Sequence, residues 1–279
     1  MTKSTIGFLG PPGTFTEEAL RKIIDKDQST KPLPSISEVI NAVQNGEVDK
    51  GFVAIENSIE GSVNTTLDVL TFEADVLIEQ EFVDAISHNL ISRFDLTIDQ
   101  LETVISHPQA TAQCRGYLLK NFPNANIEAA NSTAEAAKIV SEERANAAAI
   151  STKLAAEIYG LKILDEDIQD FTDNKTRFVM LGDKISKKTG RDKTSIVCFI
   201  KTDRPGSLLE ILQAFAKNNV NLTKIQSRPT RKALGEYFFF IDLEGHIEDE
   251  KIANIIDVLR NKLRKVKLLG SYPKVTNND

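Results

Sequence analysis

Several things are scarce in this chain. Of its 279 residues only 2 are cysteine and 3 histidine. Cys114 and Cys198 each sit inside an apolar pattern, which predicts buried thiols in a reducing compartment rather than a disulfide or metal ligands. His88, His107 and His246 are far apart in sequence with no close Cys or carboxylate set beside them, so no metal is expected. Basic residues are outnumbered, 34 Lys and Arg against 40 Asp and Glu for a net charge of −6. That balance argues against a general nucleic-acid surface, which needs a basic face. No stretch approaches the roughly 18 apolar residues of a membrane span. Met1-Thr2-Lys3-Ser4 leads straight into a strand pattern without the apolar core of a signal peptide, so the expected location is the cytoplasm. Nucleotide signatures are missing too. Gly10-Pro11-Pro12-Gly13-Thr14 lacks the Gly-Lys-[Ser/Thr] ending of a P-loop, and Gly7, Gly10 and Gly13 do not follow Gly-x-Gly-x-x-Gly. No cofactor is expected. There is no nucleophile elbow, no fixed-period repeat and no low-complexity segment. Any chemistry must come from hydroxyls, amides, carboxylates and one or two cations.

What is present is ordinary globular composition, 41% hydrophobic and 27% charged, in a length that suits about two domains. Through residue 181 short apolar runs alternate with helical patterns. The strand candidates are Ile6–Leu9, Gly51–Ile55, Val76–Ile86, Thr103–Ser106, Ile127–Ala130, Ala147–Ile150 and Phe178–Leu181. Helical patterns cover Glu17–Ile24, Ser37–Gln44, Val63–Leu70, Ala110–Leu119, Ala134–Glu143 and Lys153–Tyr159. This alternation predicts parallel α/β units. The long strand-like run from Val76 to Ser92 reads as a crossover between two lobes. A Lys-rich stretch from Lys184 to Lys193 reads as a solvated linker. After it, strand Thr194–Thr202, turn Asp203-Arg204-Pro205-Gly206-Ser207, helix Leu208–Lys217, strands Leu222–Arg228 and Glu236–Leu243, helix Glu250–Leu263 and strand Val266–Tyr272 give the order β-α-β-β-α-β. That order is the ferredoxin-like split motif.

Five strand ends in the α/β region carry small polar residues where a helix begins. They are Gly10 to Thr16, Glu56-Asn57-Ser58, Ser106-His107-Pro108-Gln109, Asn131-Ser132-Thr133 and Ser151-Thr152. Each is explained singly by N-capping, and Thr14 with Glu17 fits a capping box. Five on one side of a sheet suggest more, because free N–H groups at helix starts favour anions. A small carboxylate-bearing ligand would suit such a place. Thr176-Arg177-Phe178 is the sharpest single element: it leaves a polar loop and enters an apolar strand, and Arg177 has the geometry for a bidentate carboxylate contact.

Together, Gly10-Pro11-Pro12-Gly13-Thr14-Phe15-Thr16, Glu56-Asn57-Ser58-Ile59-Glu60-Gly61-Ser62-Val63, Ser106-His107-Pro108-Gln109 with Gln113, and Thr176-Arg177-Phe178 resemble the prephenate dehydratase family. The resemblance implies two α/β lobes like those of type II periplasmic binding proteins (residues 1–184), a linker (185–193) and a C-terminal ACT domain (194–275). It implies conversion of prephenate to phenylpyruvate, water and carbon dioxide in phenylalanine biosynthesis. The family's catalytic threonine falls on Thr176, and its other site residues on Glu56, Asn57, His88, Ser106, Gln113 and Glu135. Thr14, Ser58, Arg177 and Phe178, from the matching motifs, complete the expected substrate site. The ACT unit implies an allosteric phenylalanine site at Gly206, Ser207, Leu208 and Leu209 with Gln226, Ser227, Arg228 and Pro229, and self-association as a homodimer or homotetramer. The family usually reads Gly-Ala-Leu-Val and Glu-Ser-Arg-Pro there, so Ser207, Leu209 and Gln226 are departures. No helical chorismate mutase segment is expected before Ile6. Two rivals remain, a dehydratase for arogenate and a non-catalytic sensor of small anions built on the same fold.

Overall fold

The computed structural model describes residues 4–25, 27–143, 145–202, 204–230 and 237–275. In chain order it begins with β1 (Thr5–Leu9), α1 (Phe15–Arg21), β2 (Ser29–Leu33), α2 (Ile36–Gln44), β3 (Lys50–Asn57), β4 (Gly61–Ser62), α3 (Asn64–Phe72), β5 (Leu77–Ala85) and β6 (Asn89–Ser92). There follow β7 (Thr103–Ser106), α4 (Pro108–Gln113), α5 (Arg115–Asn121), β8 (Asn126–Ala129), α6 (Thr133–Glu143), β9 (Ala147–Ser151), α7 (Lys153–Tyr159), β10 (Lys162–Asp165) and β11 (Lys175–Gly182). The last part holds β12 (Asp192–Phe199), α8 (Ser207–Ala216), β13 (Leu222–Pro229), β14 (Tyr237–Glu244), α9 (Glu250–Lys262) and β15 (Lys265–Pro273). Met1 to Lys3, Asp203 of the expected turn and Glu236 of the expected strand lie outside the described residues.

Three sheets result, with orders β2-β1-β3-β11-β5 (β4 pairing with β3), β10-β6-β9-β7-β8 and β13-β14-β12-β15. The chain forms two compact units, one of Met1–Val39, Phe52–Ser62 and Val83–Phe178, the other of Ile40–Gly51, Val63–Phe82 and Val179–Asp279. Strands β3, β5 and β11 each begin in one unit and end in the other.

In the first unit the second sheet shows why its strands read as unbroken apolar runs. Ile91, Ile105, Ala147 and Ala149 pack with Ala136, Ala137, Val140, Ala155 and Ala156 of α6 and α7. Their neighbours Leu90, Val104, Ala148 and Ile150 pack on the opposite face with Ala110, Cys114 and Leu118 of α4 and α5. Alternate residues thus serve alternate faces, and both faces are covered. The sheet is mixed rather than wholly parallel: β7 is parallel to β8 and β9, whereas β6 is antiparallel to β9 and β10. The run Val76–Ser92 does divide between two sheets, breaking at Ile86-Ser87-His88. Two strands escape the hydrophobic pattern because they are sheet edges: β2 is Ser-Thr-Lys-Pro-Leu and β10 is Lys-Ile-Leu-Asp. The helix expected over Ala110–Leu119 breaks at Cys114, whose φ of −112° and ψ of 15° leave the helical region.

The loop before α1 is tight. Gly13 has φ +90°, and a Cβ there would meet Ala155 Cα at 3.0 Å. Only glycine fits both demands.

In the second unit the C-terminal sheet has the expected split order, with α8 and α9 on one face. Ile196, Cys198, Phe239, Ile241 and Leu243 meet Ile211, Phe215, Ile252, Ile255, Ile256 and Leu259 there. A lone βαββαβ unit would leave its other sheet face open, but here the chain covers that face itself. Phe72 of α3 packs edge-on against Phe238 and Phe199, with ring centroids 5.2 and 6.0 Å away. Gly270 of β15 lies so close to β5 that a Cβ would sit 2.2 Å from Ile78 O. Lys193 is buried and pairs with Glu81 at 2.6 Å, and Lys267 Nζ donates to Ala74 O at 2.5 Å. Of the expected linker, residues 184, 185 and 187–191 are exposed, and it is anchored at Ser186 and at its end. Ser186 is bonded to Glu79 O and to Ser271 O, and β12 already begins at Asp192, buried like every residue of that strand.

Candidate active site

The site grows from two strand ends of the first unit. β3 finishes in Glu56-Asn57 and β11 starts with Lys175-Thr176-Arg177, and the Ser58 turn laces them together. Ser58 N–H donates to Lys175 O (2.8 Å), Lys175 N–H to Ser58 Oγ (2.9 Å), and Ser58 Oγ to Asp173 O (3.1 Å). Asn57 Oδ1 accepts from the N–H groups of Ile59 (2.9 Å) and Glu60 (3.0 Å), an Asx turn that closes the end of the strand. Its Nδ2 donates to Thr176 Oγ1 at 2.9 Å and to Asn174 Oδ1 at 2.8 Å. Thr176 is 8% exposed and Arg177 the same, and Arg177 Nε lies 3.5 Å from Glu56 Oε2.

Asn174 carries the network onward. Its Nδ2 donates to Gln113 Oε1 at 3.0 Å, and the same oxygen is 2.8 Å from His88 Nε2. Gln113 closes α4 at the Cys114 break, and residues 168–174 are tied down around it. Asp170 N–H donates to Gln113 O (2.7 Å), while the Asp170 carboxylate accepts from Gly116 N–H (2.8 Å) and Tyr117 N–H (3.2 Å). His88 is 3% exposed, with Phe15 edge-on to its ring at 5.1 Å. Burial holds its pKa below the ordinary value of 6.5, against the opposing pull of its Gln113 bond, so the ring is neutral near pH 7.

Of the residues expected from the sequence, Glu56, Asn57, His88, Gln113, Thr176 and Arg177 are therefore linked in space. Others hold scaffold. Thr14 caps α1, accepting from Glu17 N–H while its hydroxyl donates to Leu9 O (3.0 Å). Glu135 accepts from Asn131 N–H (2.6 Å) and Ser132 Oγ accepts from Glu135 N–H (3.0 Å), a box at the start of α6. The Ser106 hydroxyl, fully buried, donates to Ile150 O at 2.8 Å. Phe178 is 1% exposed and stacks on Phe52 at 5.1 Å, next in the strand to Thr176 and Arg177. Sequence reasoning missed Asn174 and Asp170 as organisers. A run of acids and amides from Asp165 to Asn174 marks a polar loop, but nothing local in it points to Gln113 or Gly116.

The second unit holds a pocket of about 440 Å³ at the start of α8, lined by Arg204, Gly206, Ser207, Leu208, Leu209, Leu212 and Phe239. Gly206, at φ +91°, makes the turn into the helix. Gln226, Ser227, Arg228 and Pro229 do not line it. The Arg228 guanidinium is already engaged, by Asp68 on α3 at 2.9 and 2.7 Å and by Asn64. Among the described residues no three His, Cys, Asp or Glu side chains converge as a metal site would require, and no helix is long and apolar enough to cross a membrane.

Strand-end amides, a hydroxyl and a guanidinium in an α/β region, joined to a βαββαβ sheet, define a class: a two-part α/β protein with a polar strand-end site and an appended ferredoxin-like module. Residues 6–186 match the family model described as Prephenate dehydratase and residues 194–261 the ACT domain. The prephenate dehydratase of Methanocaldococcus jannaschii is 44% identical over 279 residues, covering 98% of this chain and 99% of that protein. The structure of prephenate dehydratase from Arthrobacter aurescens in complex with L-Phe superposes with a TM-score of 0.91 at 38% identity, over 97% of this chain and 90% of the other. A structure described as GqqA, a novel type of quorum quenching acylase, reaches a TM-score of 0.88 at 28% identity, over 99% and 100%. The chain belongs to the prephenate dehydratase family, and the family's activity, dehydration of prephenate with loss of carbon dioxide, is its activity.

Proposed function

We propose that Thr176 is the proton donor of this reaction and Arg177 a ligand of a substrate carboxylate, within the site formed by Glu56, Asn57, His88, Gln113 and Thr176. Cleaving the carboxylate C–C bond sends its electron pair into the ring as the ring C–O bond breaks. Carbon dioxide leaves, the ring becomes aromatic, and the departing hydroxide takes one proton to leave as water. The observation that supports the reading is the bond from Asn57 Nδ2 to Thr176 Oγ1. It occupies a lone pair of the hydroxyl and leaves its proton free to point at a leaving group. A threonine is a weak acid, so it acts by a hydrogen bond that strengthens as hydroxide charge develops, the kind of stabilisation worth about 10²–10⁴-fold in rate. The test is an ultraviolet assay of the purified protein with prephenate, reading phenylpyruvate at alkaline pH, with arogenate run in parallel. A fall of about 10²-fold or more in Thr176→Ala under the same assay supports the proton-donor role, and a variant that keeps more than about half of the wild-type rate overturns it.

The functional boundaries are 1–184 for catalysis and 194–275 for regulation. The effector is phenylalanine, bound by the α8 pocket: its apolar walls suit a benzyl group, and the N–H groups at the start of the ten-residue α8 suit a carboxylate. Ser227 and Pro229 project from β13, an edge strand with exposed Ile225, which favours a second copy of the chain completing the site in a homodimer or homotetramer. The cytoplasm fits the two free thiols, buried and each pushed up to about 12 by desolvation, and hence inert.

A further inference from the structure

An amide side chain has two unlike ends, one donating and one accepting, so a row of touching amides has a direction. Here the direction is fixed by backbone. Asn57 Oδ1 faces the N–H groups of Ile59 and Glu60, which only donate, so this end of Asn57 must be its oxygen. Its Nδ2 therefore faces Thr176 Oγ1 and Asn174. Asn174 must then show its oxygen to Asn57 and its nitrogen to Gln113. Gln113 must answer with Oε1, and His88, touching that same oxygen at 2.8 Å, must carry its proton on Nε2. His88 Nδ1 is left as a buried acceptor with no protein partner. Asn174 is 1% exposed and is the one link joining Asn57 to Gln113 in this row.

We infer that Asn174 is a positioning residue for the dehydration: it passes the donor order set by the Ile59–Glu60 turn to His88, and holds Asn57 so that the Thr176 hydroxyl donates. The catalytic half of this inference rests on the proton-donor role of Thr176, whereas the order of donors does not.

Asn174→Asp tests it in the full chain without ligand. A carboxylate at 174 still accepts from Asn57 but can give nothing to Gln113, so Gln113 must turn its NH₂ inward and His88 must move its proton to Nδ1. Asn57→Asp reverses the row from the other end and predicts the same tautomer, which keeps the test alive if one variant does not fold. Nitrogen-15 NMR of the imidazole reads the tautomer directly, with the His88 signal identified by its loss in His88→Asn. Wild type is expected as Nε2–H and each folded variant as Nδ1–H. In Asn174→Ala, where Asn57 Nδ2 loses the oxygen that holds it beside Thr176, kcat is expected to fall about tenfold or more with KM within about threefold, the size of effect that follows loss of one directed hydrogen bond in a site. Retention of Nε2–H in a folded Asp variant overturns the inference, and so does a kcat within about twofold of wild type in a folded Asn174→Ala. Full activity in Thr176→Ala would instead strike the proton-donor reading and leave the tautomer result standing.

Discussion

The strand-end site and the α8 pocket are built on opposite plans. In the first, each amide is held by another amide or by backbone, and Asn57, Asn174, Gln113 and His88 form one bonded row. The second is an open apolar hollow of about 440 Å³ with Leu209 56% exposed at its rim. A site that must place a proton benefits from rigid, preset donors, because reorganisation would add to the barrier. A site that must report on an effector benefits from being incomplete, because binding then drives a change of state, and only differential binding can shift an equilibrium. The contrast predicts that small chemical edits hurt the first site greatly and the second only in proportion to the contact changed.

The largest effect should come from Thr176→Ala. Turnover is expected to fall by about 10²-fold or more, with circular dichroism and melting temperature near wild type, since the bond it loses is a single one among several that fix β11. Arg177→Lys keeps the charge but loses the planar fork, so kcat/KM should drop about tenfold or more, as for a lost hydrogen bond to a charged group. An unchanged kcat/KM with normal stability would make Arg177 a structural partner of Glu56. At the effector pocket, Leu209→Glu sets a carboxylate beside the expected carboxylate of phenylalanine. Calorimetry should show affinity reduced about fivefold, the scale of a like-charge contact in a wet setting. No change would move the effector elsewhere.

The smallest effect is on pH dependence. His88 is held below its ordinary value of 6.5 by burial, so near pH 6 the unfolded chain binds a proton there that the folded chain does not. Its contribution is complete above pH 6.5 and is lost as pH falls toward the folded value. Melting temperature should therefore fall less between pH 7 and 5 in His88→Asn than in wild type, the two compared by calorimetry. Glu18, raised by burial, has the opposite sign and is common to both proteins, so the difference isolates His88.

The split between what the sequence could and could not reveal follows the same contrast. Phe52, Val53 and Ile55 announce β3 because both its faces are buried, and Asn57 and Thr176 stand where an apolar run meets a polar one. Asn174 and Asp170 were hidden because their value lies in partners 61 and 54 residues away in Gln113 and Gly116, a spacing no local pattern carries. The partner of Phe178 was hidden for a related reason: Phe52, on which it stacks, is remote in sequence. Nor does the β-α-β-β-α-β pattern tell what covers the other face of the C-terminal sheet, because Phe72, distant in sequence, does so.

That covering has a consequence for how such proteins can be assembled from parts. The two family matches end and begin at 186 and 194, which invites exchange of one ACT unit for another at that seam. Physically the seam is elsewhere. Phe72, Ile78, Glu81 and Asp68 belong to the first match by sequence, yet they form the floor under Phe238, Gly270, Lys193 and Arg228. A graft that respects only the sequence border would seat a foreign sheet on a floor cut for this one. Inheritance of the regulatory module therefore has to be joint, with changes at 63–82 tracking changes after 192.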